Sequence, residues 1–235
     1  MTNPRLVTGG LLVAVPLIFT AGFTGLQIVF DYPGILRHPA GEVLSRFANG
    51  GADLHAYWYL MFIAGVLLIP TAIAFAVLNW KDAPFVAALA GSFGAIAGLV
   101  QAMGLLRWTV LVPGLAATYT APSATEIDKA GAASAFDTAN AYLGMGVGEH
   151  MGYLFTALFT VMVALIVVQR WPMMAWLGVV GAVGVAFGML EPFGVPMAAT
   201  INAMAFTGWS VWALVLGVLI LWRGQALGAA PAVAA

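Results

Sequence analysis

Six long apolar stretches divide this sequence, and they restrict it to one kind of fold. Each stretch holds roughly 20 mostly apolar residues, the length at which a helix crosses the hydrocarbon core of a bilayer. Because lipid offers no hydrogen bonds, such a stretch must pair its own backbone groups, and a helix does so. We therefore predict an all-α, polytopic integral membrane protein with six transmembrane helices in one bundle. The predicted spans cover residues 6–30, 54–79, 84–106, 142–169, 173–190 and 197–222.

The composition agrees with a chain that lies mostly in lipid. It is 63% hydrophobic and 7% charged, whereas a soluble domain carries about 25% charged residues. We expect one transmembrane domain over residues 1–225 and a disordered, uncharged tail over residues 226–235. The net charge of -1 gives no reason to expect a nucleic-acid partner. The absence of cysteine excludes disulfides, thiolate metal sites and cysteine nucleophiles.

Two connections between the spans carry further signals. Residues 41–48 and 126–140 have apolar residues at helical spacing, and we expect an interfacial helix and an amphipathic lead-in to the fourth span. Residues 108 to about 130 contain Pro113, Gly114 and Pro122, which are typical of a long loop. Gly144, Gly148 and Gly152 are four residues apart, a spacing that favours close helix packing in lipid. They could alternatively make room for a flat ligand or a sliding helix.

The orientation is predicted from lysine and arginine residues, which favour the cytoplasmic side. With both termini in the cytoplasm of a cell-membrane protein, equal numbers of these residues fall on each side. Those on the inner side occupy short segments directly at span ends, where the rule applies most strongly. We therefore favour cytoplasmic termini. The inner set is Arg5, Lys81, Arg170 and Arg223, and the outer set is Arg37, Arg46, Arg107 and Lys129.

In this topology, strongly polar side chains near span ends gather at the outer leaflet. Such groups are costly near lipid, so they usually face a bundle interior or a wet cavity. The inner half of the spans has few polar residues, which argues against a pathway through the whole membrane. We therefore predict a site that opens to one side. Its candidate residues are Asp53, His55, Gln101, Arg107, Glu149, His150, Glu191 and Asn202.

Two histidines in this set suggest a metal or haem centre, although no cofactor can be assigned. His55 and His150 begin different spans at a similar predicted depth. Two imidazoles could bind a metal ion or hold a haem iron from both sides, and Asp53 could add an oxygen ligand. The alternative is that both histidines are interfacial hydrogen-bonding anchors.

Glu149 and His150 are the candidate catalytic pair. A carboxylate inside a glycine-rich helix start is costly unless it is paired, hydrated or protonated. A carboxyl or imidazole group in such a place is suited to proton transfer. Adjacent helical positions point about 100° apart, so the two side chains are not expected to face one centre together.

The remaining candidates are predicted to bind a ligand. Arg107, followed by Trp108, could pair with an anionic group of a ligand or form an ion pair across the bundle with Glu149 or Glu191. It could also simply extend toward the membrane surface beside an interfacial tryptophan. Gln101 and Asn202 could line the floor of a pocket or hydrogen-bond to a neighbouring helix. Glu191, in a short turn before a proline, could equally be solvated.

Three segments resemble a bacterial family of small polytopic membrane proteins that is catalogued only as a domain of unknown function. They are Asp31-Tyr-Pro-Gly-Ile-Leu, Leu106-Arg-Trp-Thr-Val-Leu-Val-Pro-Gly-Leu and Gly148-Glu-His-Met-Gly-Tyr. The resemblance covers most of the chain and implies six helices and a bacterial membrane. It implies no reaction and no functional residues.

Three functional hypotheses follow from these patterns. The first is a ligand site in the membrane for a metal, a haem or an apolar molecule such as a quinone or lipid, with a redox or proton-transfer role. The second is a non-catalytic accessory subunit that docks to other membrane subunits through its glycine faces. The third is a carrier for a small apolar solute. Nothing in the sequence matches a phosphate loop, a dinucleotide fingerprint or a hydrolase elbow.

Overall fold

A computed structural model describes residues 3–223, and within this range it contains helices and turns and no β-strand. Six helices are long and apolar enough to cross a membrane, so the predicted class of an all-α, multi-pass membrane protein is confirmed. The predicted tail, residues 226–235, lies outside the described residues. The α-helices are α1 (Pro4–Phe30), α2 (Ala40–Ala48), α3 (Gly51–Asn79), α4 (Pro84–Val110), α5 (Val112–Thr120), α6 (Glu126–Ala139), α7 (Gly152–Val167), α8 (Pro172–Phe187) and α9 (Ala198–Arg223).

The predicted long loop after the third span is wrong. Helix α4 continues to Val110, and α5 follows it after a single residue. Pro113 stands in the first turn of α5. There it starts the helix rather than breaking it, because a first-turn residue has no backbone N–H partner within the helix to lose. The two helices together form one candidate span, Pro84–Thr120.

The fourth candidate span contains a feature that the sequence patterns did not predict. Between α6 and α7, residues Asn140–Met151 form a π-helix. This conformation, with i→i+5 hydrogen bonds, is rare and occurs frequently at functional sites. The predicted lead-in begins with a capping box, in which Thr125 and Asp128 exchange side-chain and backbone hydrogen bonds.

The described residues group into two compact units. Unit 1 comprises residues 3–17, 65–99 and 150–223, and unit 2 comprises residues 18–64 and 100–149. The prediction of a single domain over residues 1–225 stays a prediction.

Unit 1 is held together by apolar packing and by buried tryptophan hydrogen bonds. Trp209 Nε1 donates to Thr160 Oγ1 at 2.8 Å, and Trp212 Nε1 donates to the carbonyl oxygen of Met174 at 2.8 Å. Near the start of the chain, the Arg5 guanidinium donates to the carbonyl oxygens of Ile220 and Leu221. A cation at the last carbonyl groups of a helix is favourable, so Arg5 stabilises the end of α9.

Unit 2 has an aromatic core. The short helix α2 buries Val43, Leu44 and Phe47, which confirms the predicted amphipathic segment as a helix. Its apolar face packs into one cluster with Trp58 and Trp108 rather than remaining open. Unit 2 therefore surrounds the end of α4 with large, well-packed rings.

Candidate functional site

The centre of the candidate site is Arg107, near the end of α4 in unit 2. Its side chain is buried, with 7% of the residue exposed. Nη1 donates to the carbonyl oxygen of Gly104, and Nη2 donates to Asn140 Oδ1 at 3.0 Å. A cation this far from water needs partners, because an unpaired buried charge is very costly. Arg107 is therefore directed into unit 2 rather than toward the membrane surface.

Glycine makes room for this guanidinium on the π-helix. A Cβ atom added to Gly144 would lie 2.6 Å from Arg107 Nη2 and 2.7 Å from Cζ. Such a contact is too short for carbon beside nitrogen, so a side chain at this position would displace the guanidinium. Gly144 thus has a specific role beyond general helix packing.

The wide turn of the π-helix also determines where Glu149 points. In an α-helix, at about 100° per residue, Glu149 would lie half a turn out of phase with Asn140. A π-helix has more residues in each turn, which brings positions 140, 144 and 149 to the same face. Consistent with this, Glu149 interacts electrostatically with Arg107. This placement is compatible with the predicted interaction between Arg107 and Glu149, which stays a prediction.

Tyr32, in the connection between α1 and α2, belongs to the same cluster of charges. Burial and the negative charge of Glu149 raise the pKa of Tyr32 to about 12, while the positive charges of Arg107 and Arg37 oppose that rise. The phenol therefore stays protonated at neutral pH. Arg37 itself is exposed, so solvent weakens its influence.

An aromatic wall flanks the arginine. The rings of Trp58 and Trp108 are stacked, with centroids 4.3 Å apart and an interplanar angle of 5°. Arg107 Cζ lies 5.3 Å from the Trp108 ring centroid, within the range of a cation–π interaction. The edges of Phe30 and Phe136 also meet the Trp108 ring. The wall excludes water from one side of the guanidinium.

Two N–H groups beside this wall lack a protein acceptor. Arg107 Nε and Trp58 Nε1 are both buried, and neither has a hydrogen-bond partner among the residues that the structure describes. Trp58 has no exposed surface. Buried N–H groups are nearly always paired, and each unpaired group costs about 1–3 kcal/mol. Both residues adjoin the Trp108 ring, so the cluster contains two donors without a protein acceptor.

The predicted metal ligands are placed differently. Asp53 and His55 are exposed in the first turns of α3, and the His55 ring lies 4.9 Å from the Phe47 ring. His150 is half-buried at the end of the π-helix and belongs to unit 1. Within residues 3–223 no group of three or more histidine, aspartate or glutamate side chains is placed to hold a metal ion. The metal or haem site therefore stays a prediction without added support.

The other predicted ligand-binding residues are divided between the units. Trp108 lies in the aromatic wall, and Gln101 is half-buried on α4, both in unit 2. Asn202 is in unit 1, where Nδ2 donates to the carbonyl oxygen of Val185 at 2.8 Å. This is the helix-to-helix hydrogen bond that was the alternative to a pocket floor. Glu191 is half-buried in a 3₁₀ turn, also in unit 1.

Sequence reasoning missed two members of the cluster, Tyr32 and Asn140. Tyr32 lies within one of the segments that carry the family resemblance, which was the available signal. Asn140 ends the amphipathic lead-in and precedes the glycine-rich run, so it resembles an ordinary helix cap. Its role depends on the π-helix, which no sequence pattern indicated.

The fold and the site define a multi-pass helical membrane protein in which one buried arginine, Arg107, is enclosed by aromatic rings. The chain belongs to the family described as a domain of unknown function, DUF4386, whose model matches residues 7–224. The suspected family resemblance is therefore confirmed. No curated protein and no solved structure gives a significant match to the chain.

Proposed function

We propose that this protein binds a small, largely apolar ligand through a polar group at the Arg107 site. The observation that carries the proposal is the buried Arg107 guanidinium, whose Nε–H has no acceptor among the described residues although Asn140 and Gly104 bind the other two nitrogens. A ligand oxygen would complete this set.

The surroundings favour an apolar ligand. Typical small-molecule sites are lined by apolar and aromatic side chains with a few polar groups that fix the orientation. Trp58 and Trp108 provide such a lining, and Arg107 provides the polar group. A quinone or a lipid from the bilayer has this combination of an apolar body and polar oxygens.

We also propose that Glu149 transfers a proton to or from the ligand, whereas the proton-transfer role of His150, which belongs to unit 1, stays a prediction. Glu149 is the stronger candidate because its charge acts on both Arg107 and Tyr32. Carboxyl and imidazole groups are common proton donors and acceptors in catalysis. We also propose that the site lies in the outer leaflet and that both termini lie in the cytoplasm.

The test is to identify what the full-length protein carries after gentle purification in detergent. Organic extracts are analysed by mass spectrometry, and the amount of each small molecule is compared with the amount of protein. We expect a near-stoichiometric molecule that Arg107→Gln loses. Arg46→Gln is the matched control, because Arg46 is an exposed arginine of the same unit that pairs with Asp31 at 3.8 Å.

Gly144→Ala is a second variant in case Arg107→Gln does not fold, since it displaces the guanidinium without removing its charge. Equal ligand content in the folded variants and the wild type would refute the proposal. A visible spectrum and metal analysis of the same sample separate the alternatives. A haem band or stoichiometric metal lost in His55→Ala or His150→Ala would favour a metal centre, and co-purifying chains without a small molecule would favour an accessory subunit.

A further inference from the structure

The charges of the Arg107 site restrict the kind of ligand that it can accept. We infer that the ligand is uncharged and presents a carbonyl-type oxygen as a hydrogen-bond acceptor, as a quinone does, rather than being an anion. This inference rests on the proposed function and names the ligand class for the same site.

The Arg107 site already contains charges of both signs. The positive charge of Arg107 is already opposed by Glu149, which acts on it electrostatically. Tyr32 remains a neutral phenol, and Arg37 is exposed, so neither adds a buried charge. An anionic ligand would therefore leave a net negative charge in a site of low polarity, which is costly. A neutral ligand leaves the balance unchanged.

The two unpaired N–H groups of the site call for a hydrogen-bond acceptor. A guanidinium can only donate, and so can an indole N–H. Arg107 Nε and Trp58 Nε1 therefore need an acceptor, and neither has one in the part of the chain that the structure describes. A carbonyl oxygen has two lone pairs and no proton, so it suits these donors without requiring an acceptor from the protein.

Aromatic rings surround these donors. Trp108 touches the Trp58 ring, the Arg107 guanidinium and the Phe47 ring, whose centroid is 5.9 Å from its own. Binding an anion here would require removing its hydration shell against aromatic surfaces, whereas a carbonyl group on an apolar ring loses far less hydration.

The test compares two probes with tails of the same length, a decyl-substituted benzoquinone and decanoate. The full chain is placed in phosphatidylcholine nanodiscs, and native mass spectrometry counts the bound probe molecules at increasing concentration. We expect the quinone to bind at one molecule per chain and decanoate to bind weakly or not at all. Trp58→Phe, which replaces the indole with a smaller aromatic ring that has no N–H, should weaken quinone binding several-fold, as expected for one lost hydrogen bond of about 0.5–1.5 kcal/mol.

Trp80→Phe is the matched control, because Trp80 is exposed and lies outside unit 2. Preferential binding of decanoate, or equal binding of both probes, would overturn the inference. If decanoate binding were lost in Arg107→Gln, the proposed function would still stand with an anionic ligand. Failure of the quinone to bind overturns the inference, and the co-purification experiment then decides separately whether the site binds any small molecule.

Discussion

Gly104 on α4 and Gly148 on the π-helix meet backbone to backbone. A Cβ atom on Gly104 would lie 2.6 Å from Gly148 Cα, and one on Gly148 would lie 3.0 Å from Gly104 Cα. Neither backbone can move aside as a flexible side chain could. This contact sets the distance between the helix that carries Arg107 and the segment that carries Asn140 and Glu149.

Gly148→Ala should therefore destabilise the protein by about 1–3 kcal/mol, the usual cost of forcing extra carbon into a packed core. Gly146→Ala is the control, because a Cβ there would meet only the Ala141 carbonyl oxygen at 3.5 Å. Denaturation midpoints in the same detergent give the comparison. Similar midpoints for the two variants would show that α4 and the π-helix can separate without cost.

The hydrogen bond from Arg107 to Asn140 leads to a second prediction. Asn140→Ala removes the acceptor of a buried guanidinium N–H, which should cost about 1–3 kcal/mol of unfolding free energy. It should also reduce the amount of co-purifying small molecule, because the guanidinium loses its fixed orientation. Asn49→Ala is the control, since Asn49 is exposed and its side-chain amide donates to the carbonyl oxygen of Ser45 in the preceding turn. Loss of stability without any change in ligand content would limit Asn140 to a structural role.

The pKa of Tyr32 leads to a third prediction. Burial raises it from 10.0 to about 12, so the folded state retains a proton that the unfolded state loses between these pH values. Tyr32 therefore contributes stability that is fully present below pH 10 and is lost as the pH rises toward 12. Ultraviolet titration of tyrosinate should show one late component that is missing in Tyr32→Phe and present in Tyr59→Phe.

Glu149→Gln tests the origin of that shift. Because the negative charge of Glu149 raises the pKa of Tyr32, the late component should move to lower pH in this variant. An unchanged titration would mean that the carboxyl group of Glu149 does not act on the phenol and that burial accounts for the raised pKa of Tyr32.

The sequence was sufficient for the spans and insufficient for the site. Hydropathy is summed over about 20 residues, so single exceptions such as Pro113 do not hide a span, although this proline did hide α5. An α-helix and a π-helix differ in backbone register and not in hydropathy. The number of residues per turn, which brings Asn140, Gly144 and Glu149 to the side of Arg107, therefore cannot be read from the spacing of apolar residues. Arg107, Trp108 and Glu149 were predicted as site residues because a charged or aromatic residue near the end of a span can be recognised without knowing the helix type.

Asn202 provides a fourth prediction. It is in unit 1 and hydrogen-bonds to Val185, whose carbonyl oxygen also accepts from the Gly188 backbone N–H. Asn202→Ala should therefore cost only about 0.5–1.5 kcal/mol and leave the amount of co-purifying molecule unchanged. Thr207→Ala, at an exposed position on the same helix, is the control. A loss of the co-purifying molecule at unchanged stability would instead mean that Asn202 contributes to ligand binding.

The fifth prediction concerns orientation, and the absence of cysteine makes it simple to test. Ser123→Cys places a thiol in the connection between α5 and α6, and Lys81→Cys places one between α3 and α4, both at exposed positions. With cytoplasmic termini, three spans separate Ser123 from the N-terminus and two separate Lys81, so they lie on opposite sides of the membrane. A membrane-impermeant maleimide added to intact cells should label Ser123→Cys alone, and both variants should react after lysis. Labelling of Lys81→Cys alone in intact cells would show that the orientation is the opposite of the predicted one. The Arg107 site would then lie on the cytoplasmic side, and its ligand would have to enter from the inner leaflet.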